Sequence, residues 1–167
     1  HFAKFVPEAV RRLVLANPDA PDLDKQERDV TVLFVDISGY SRLAESVDPA
    51  HLNALVERYF GSFLDRITDA GGDINETSGD GFMAIFQDGD PVAHAARSVN
   101  AALMLLALTE ALNQKEHDHP LAIHVGINSG PALVGSTRFE GRRGTRWTFT
   151  ASGIVTTLAA RLASAAG

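Results

Sequence analysis

Cysteine is absent from the chain, so no disulfide can staple it and its core must hold by packing alone. That is feasible: 167 residues is a one-domain length, and 45% hydrophobic content is ordinary for a globular protein. The missing cysteines are compatible with a reducing compartment. Basic residues are in the minority, 15 against 21 acidic ones, and the net charge of −6 gives no reason to expect nucleic acid as a partner. No uninterrupted apolar run looks long enough to span a bilayer; the richest, Ala101 to Leu108, is far too short. No GxxxxGK[ST] pattern occurs, which excludes a P-loop. The chain opens on His1 with no leader pattern and is read here as a portion of a longer polypeptide, with His1 left out of the site.

What is present is a regular alternation of elements. Phe5–Ala16 carries Val6, Val10, Leu13 and Val14 at helical spacing behind Pro7, and Asn17–Glu27 is a polar, proline-bearing linker. "VTVLFVDI", Val30 to Ile37, is a strand covered on both faces, with Asp36 as its one charge. A Gly-containing turn and a short helical piece follow. Asp48-Pro49 then caps a long helix with apolar residues at 52, 55, 56, 59, 60, 63, 64 and 67, closed by Gly71-Gly72. "INETSGDGFMAIF" reads as a hairpin, Gly79-Asp80 forming its loop with glycine supplying a positive φ. Asp90-Pro91 starts a second long helix. Strands are expected at Leu121–Asn128, Ala132–Gly135 and Arg146–Ala151, with a basic stretch (Arg138, Arg142, Arg143, Arg146) that reads as a solvated hairpin loop rather than a triphosphate or partner contact, and a final helix at Val155–Ala165. The order predicts an α+β fold: a ferredoxin-like βαββαβ core with additional strands and a C-terminal helix, helices packed on one face of a mainly antiparallel sheet.

Two carboxylates stand out. Asp36 at a strand end and Asp80 at a hairpin tip can converge, because neighbouring strands run about 5 Å apart. Carboxylates that close repel unless a cation lies between them, and Mg²⁺ takes few carboxylates and completes its shell from phosphates. The same residues also read as a helix cap and a turn former, and spacing does not choose. Ser38, Gly39, Tyr40 and Ser41 offer successive backbone N–H groups at a helix start, suited to phosphate. His117, Asp118 and His119 have ligand chemistry, but sit in a loop with nothing to close a coordination shell.

The segments "VTVLFVDISGYSRLAE", "GGDINETSGDGFMAIF", "IHVGINSGPALVGS" and "FTASGIVTTLAARLAS" together resemble the class III nucleotide cyclase homology domain, over about Val30 to Ser164. The resemblance implies attack of a ribose 3′-hydroxyl on the α-phosphorus of the same nucleoside triphosphate. It implies two Mg²⁺ or Mn²⁺ ions per site, held by Asp36, Asp80 and the Ile37 carbonyl. It implies a homodimer with shared active sites, a cytoplasmic location, and an upstream sensory or transducing domain coupled through residues 1–28; membrane tethering of the full-length protein is left open. The domain would run from 29 to 167 and lack the family's C-terminal strand-helix unit, which carries a pyrophosphate-binding lysine. Glu76 and Thr150 match the base-reading positions. A carboxylate accepts only, and guanine presents it N1–H and the N2 amino group, so Glu76 tilts the substrate from ATP toward GTP; the Thr150 hydroxyl suits either base. Arg161 matches the arginine that neutralises phosphate charge in the transition state.

The match departs from the family at Thr157, where a ribose-orienting asparagine is usual, and at Ile154, where an aspartate is usual. Hence two readings stand: an active purine nucleotide cyclase, and a catalytically weak cyclase-like module that binds nucleotide or only dimerises. A third, a diguanylate cyclase, rests on "SGDGF" as an echo of the GGDEF hairpin; "ASGIVTTLAARLAS" speaks against it.

Overall fold

Two Asp-Pro steps set the frame. The Asp48 carboxylate accepts hydrogen bonds from the N–H groups of Ala50 (3.1 Å) and His51 (3.2 Å) and starts helix α3, Pro49–Asp69. Asp90 accepts from Ala93 N–H at 2.8 Å and starts α4, Pro91–Asn113. The computed structural model describes residues 8–16, 23–116, 118–142 and 144–166, without the side chains of Ala9, Glu76, Arg138, Thr145, Arg146 and Trp147. The other described elements are α1 (Glu8–Ala16), β1 (Gln26–Ile37), α2 (Tyr40–Ser46), β2 (Asp73–Thr77), β3 (Gly81–Phe86), β4 (Ile123–Gly141), β5 (Gly144–Ser152) and α5 (Ile154–Ala165). The expected first turn of α1, Phe5 to Pro7, and most of the expected linker lie outside the described residues.

The five strands form one sheet in the order β2-β3-β1-β4-β5, with every neighbouring pair antiparallel. The first four strands in that order are the ferredoxin-like core, and β5 is the addition. The sheet curls enough that its two edge strands, β2 and β5, come into contact.

Alternation along β1 sorts the core into two layers. Leu33, Val35 and Ile37 face the α3 and α4 side, against Tyr59, Phe63, Ile67 and Leu105. Val30 and Val32 face the other side with Met83 and Ile85, under Val155 and Ala159 of α5. The two core helices therefore share one face as expected, while the added C-terminal helix covers the opposite one. Gly126 makes this possible: a Cβ there would lie 2.0 Å from the Ala159 carbonyl oxygen, so only glycine admits the α5 backbone this close.

Several local expectations change. β1 begins at Gln26, within the expected linker, because β4 extends far enough to pair with it: Gln26 meets Val134 and Asp29 meets Pro131. The first two strands expected after residue 120, Leu121–Asn128 and Ala132–Gly135, are one. Gly130 and Pro131 look like a break in the sequence, yet β5 pairing starts only at Leu133, so β4 is still an edge on that side and tolerates a proline there. The basic stretch is a hairpin as expected, but its loop is shorter: β4 and β5 stay paired as far as Gly141 and Gly144; Arg142 is exposed, Arg143 lies outside the described residues, and the Arg138 and Arg146 side chains are not described.

By length and hydropathy α4 meets the measure of a membrane-crossing helix, contrary to the expectation that no stretch would. Its inner face, however, is part of the protein core, and buried His94 shares a 2.7 Å hydrogen bond between Nδ1 and Thr31 Oγ1 on β1. None of the described α1 side chains is buried. The helix is held by Glu8 N–H to Asp73 Oδ1 (3.0 Å) and Arg12 to Asp88 (3.6 Å), two points flanking the β2–β3 hairpin.

Candidate active site

Asp36 and Asp80 come together through backbone geometry. Asp36 is the last even-numbered position of β1, so alternation puts it on the α5 side of the sheet, between Val35 and Ile37, which face the α3/α4 core. It pairs with Gly81 on one side and His124 on the other. The next N–H, that of Ile37, donates to the Asp80 carbonyl at 2.7 Å and clamps the hairpin turn to the end of β1. Ser78 N–H to Gly81 O (2.8 Å) closes the turn, and Ser78 Oγ donates to Asp80 Oδ1 at 3.0 Å, orienting that carboxylate. Gly79 does not take the positive φ expected of it. The Tyr40 phenol of α2 packs against it instead, with Oη 3.4 Å from where a Cβ would stand.

The electrostatics follow from this placement. Burial raises the Asp36 carboxyl above its ordinary range, the neighbouring Asp80 charge raises it further, and His124 opposes both. No described residue donates a hydrogen bond to the Asp36 carboxylate. A half-buried carboxylate that feels the charge of a second one, with no donor among the described residues, is short of positive charge. Among the described residues no three His, Cys, Asp or Glu side chains gather to form a closed metal cage. The pair fits an open divalent site that needs further oxygen ligands, such as the Ile37 carbonyl and phosphates.

Beside the pair lies a cleft of about 200 Å³ lined by Phe34, Asp36, Thr77, Ser78 and Met83. A larger one, about 370 Å³, sits between α1, the start of β1 and the middle of β4; its wall carries both signs of charge (Arg12, Arg28, Asp24, Asp88).

The remaining predicted residues distribute as follows. Ser38 N–H is committed to the Ala122 carbonyl at 2.8 Å, which removes it from the expected phosphate cradle. Gly39 at φ 66° begins α2 with no side-chain cap, leaving the first-turn N–H groups at Tyr40 and Ser41 as candidate donors. Glu76 pairs in register with Met83, whose side chain is on the Asp36 face; the Glu76 side chain itself is not described. Thr150 is half-buried on β5, and the curl of the sheet brings β5 to β2, the strand of Glu76. Thr157 and Arg161, one turn apart on α5, are both exposed. Thr157 Oγ1 donates back to Gly153 O at 3.3 Å, and Arg161 makes no ion pair among the described residues. His117 lies outside the described residues, and the His119 ring instead stands edge-on to His51 at 5.7 Å.

The sequence reading missed His124. Sitting in an apolar strand, it looks like a stray polar residue, and only the register reveals it as the cross-strand partner of Asp36.

Residues 23–167 match the family model described as the adenylate and guanylate cyclase catalytic domain. The chain belongs to this family. It is 30% identical over 118 residues to the adenylate cyclase of Anabaena cylindrica, covering 69% of this chain and 24% of that protein. With adenylate cyclase 1 of Rhizobium meliloti it shares 28% identity over 167 residues, 96% of this chain and 24% of the relative. It thus spans about a quarter of the length of these curated relatives. Among solved structures, adenylyl cyclase CyaB of P. aeruginosa superposes with TM-score 0.77 at 29% identity, covering 86% of this chain and 74% of that one. Guanylyl cyclase Cya2 gives 0.75 at 26%, covering 85% and 72%. The cyclase fold is common to all of these, and neither base is singled out by the likeness.

Proposed function

We propose that this cyclase domain converts a purine nucleoside triphosphate, GTP ahead of ATP, into the 3′,5′-cyclic monophosphate and pyrophosphate. The observation that carries the reading is the meeting of Asp36 and Asp80, with the Asp36 carboxyl raised by burial and by its neighbour and lacking a donor. In the reaction the bond from O3′ to the α-phosphorus forms, the bond from that phosphorus to the pyrophosphate oxygen breaks, and the hydroxyl proton is released. Two Mg²⁺ or Mn²⁺ ions held by Asp36, Asp80 and the Ile37 carbonyl would supply Lewis acidity and neutralise triphosphate charge.

The chain's own groups divide the remaining work. Tyr40 and Ser41 N–H groups point the start of α2 at phosphate oxygens. Arg161 offsets negative charge that develops on the phosphates, and Thr157 steadies the ribose. Glu76 accepts from guanine N1–H and N2, and Thr150 bonds O6. A carboxylate facing adenine N1 would oppose two acceptors, and a buried mismatch of that kind costs about 1–3 kcal/mol.

A homodimer with shared sites accounts for two features. The cleft of about 200 Å³ beside Asp36 is smaller than the usual range for a small-molecule site, about 300–1,000 Å³. Arg161 and Thr157 lie on the outward side of α5, where a second subunit can meet them. Residues 1–28 act in this reading as the coupling segment to an upstream sensor on the cytoplasmic side. The α1 contacts to Asp73 and Asp88, at the ends of the hairpin, support it.

Thr157 favours a second reading, a weak or inactive cyclase-like module, because its hydroxyl is spent on its own helix. Incubation with Mn²⁺ or Mg²⁺ and either GTP or ATP separates the two. Cyclic monophosphate that disappears in Asp36→Asn supports catalysis; nucleotide binding with no product supports the module, and a cyclic dinucleotide would contradict both.

A further inference from the structure

We propose that the Tyr40 side chain is a positioning residue for the divalent ions: its phenol backs the Gly79-Asp80 turn and keeps the Asp80 carboxylate beside Asp36. The role rests on reading Asp36 and Asp80 as the metal pair. A glycine directly precedes the second ligand, and Gly79 is exposed with no side chain to pack. Its backbone is the most freely jointed in the turn, so it needs restraint from outside. Two hydrogen bonds act on Asp80 itself: Ile37 N–H donates to its carbonyl at 2.7 Å, and Ser78 Oγ donates to its Oδ1 at 3.0 Å. The first holds one carbonyl and the second one rotamer; neither touches Gly79. Tyr40 supplies the missing restraint, its Oη standing 3.4 Å and its Cζ 4.0 Å from the point a Gly79 Cβ would occupy.

The ring starts from a fixed corner. Between Ile37 and Tyr40, the Ser38 N–H is held by the Ala122 carbonyl at 2.8 Å, and Gly39 turns the chain at φ 66° into α2. Arg42 and Leu43 N–H groups then bond back to the Gly39 carbonyl at 3.0 and 3.2 Å. Half-buried, the ring joins the α3/α4 layer of the core, whereas Asp36 lies on the α5 side of the sheet. The phenol therefore meets the turn from behind. Beside it is a cavity of about 250 Å³, walled by Ala44, Pro49, Leu52 and Val56 together with Tyr40 and Gly79. A smaller side chain at position 40 opens that space onto the turn, and the tip can sink into it, away from Asp36. The Tyr40 hydroxyl makes no hydrogen bond among the described residues, so the brace is one of packing.

Substitution at position 40 leaves the backbone N–H in place, so every change reports the ring. Two measurements are made on the unaltered chain, Tyr40→Ala and Tyr40→Phe. Electron paramagnetic resonance follows Mn²⁺ binding in the presence of 3′-deoxy-GTP, and NMR follows amide exchange of Ile37 and Ser78 without metal. Both amides bond across the turn, to the Asp80 and Gly81 carbonyls. Tyr40→Ala should weaken Mn²⁺ binding about tenfold, as loss of an outer partner of a metal ligand does. It should also speed exchange at Ile37 and Ser78 while amides at the centre of β1 keep their rates. Tyr40→Phe keeps the ring and should stay close to the unaltered chain in both measurements. Undiminished Mn²⁺ binding or unaltered exchange in Tyr40→Ala would overturn the role. So would a phenylalanine variant that behaves like alanine, or exchange that quickens equally throughout β1. An unaltered chain that binds no Mn²⁺ is a separate result: it removes the metal pair and this role with it, whatever the exchange rates show of the turn.

Discussion

Gly81 stands directly across the ladder from Asp36, and a methyl group on it would lie 2.3 Å from Asp36 Oδ1 and 2.6 Å from the Val35 carbonyl oxygen. The carboxylate can swing away, but the backbone carbonyl cannot. Gly81→Ala should therefore push the hairpin off the end of β1, at a cost of about 1–3 kcal/mol in stability. Turnover should fall at least about tenfold, because about 1 Å of misplacement is enough to cost that much. Urea denaturation and steady-state rates check both; an alanine variant with full activity would mean that the carboxylate position is not what matters.

The raised carboxyl of Asp36 has a consequence for stability. Burial is the larger cause and the Asp80 charge the second, with His124 opposing. The folded state then binds this proton more tightly than the unfolded chain does. The stability that Asp36 contributes is complete below the ordinary carboxylate value of 3.8 and is lost as pH rises through the raised folded value. At neutral pH, without divalent ions, its charge is a net cost. Asp36→Asn should raise the metal-free melting temperature by about one or two degrees, the gain limited by solvent screening. A lower melting temperature in the variant would contradict the assignment.

In the proposed reaction Thr157 takes the place of a longer ribose-positioning residue. Thr157→Asn should raise kcat about tenfold or more with little change in KM, and Arg161→Ala should lower it about a hundredfold. Equal effects on kcat and KM from both changes would argue that α5 matters only for folding.

Glu76→Lys should exchange an acceptor for a donor at the base and turn the GTP:ATP preference toward ATP by about tenfold or more. An unaltered ratio of the two turnover rates removes Glu76 from base recognition.

Much of this fold can be read from the residues because its signals are local. Asp48-Pro49 and Asp90-Pro91 announce their helices, and the βαββαβ order carries the strand order β2-β3-β1-β4 with it. What was illegible depends on partners distant in the chain. The continuity of β4 through Gly130-Pro131 is imposed by β1, and the opposite-face position of α5 by its close crossing at Gly126. At the candidate site, Asp36 and Asp80 could be named from their contexts. His124 could not, since its proximity to Asp36 exists only once the strands are in register. Likewise, the loss of the Ser38 N–H to Ala122 is a tertiary event with no local sign.

The most direct test of the central claim is Mn²⁺ binding, followed by electron paramagnetic resonance, with and without a 3′-deoxy purine triphosphate that cannot cyclise. The account predicts tight binding only when the triphosphate is present, weakened about tenfold or more in both Asp36→Asn and Asp80→Asn. Mn²⁺ that binds equally well without nucleotide, or is indifferent to both substitutions, would contradict it.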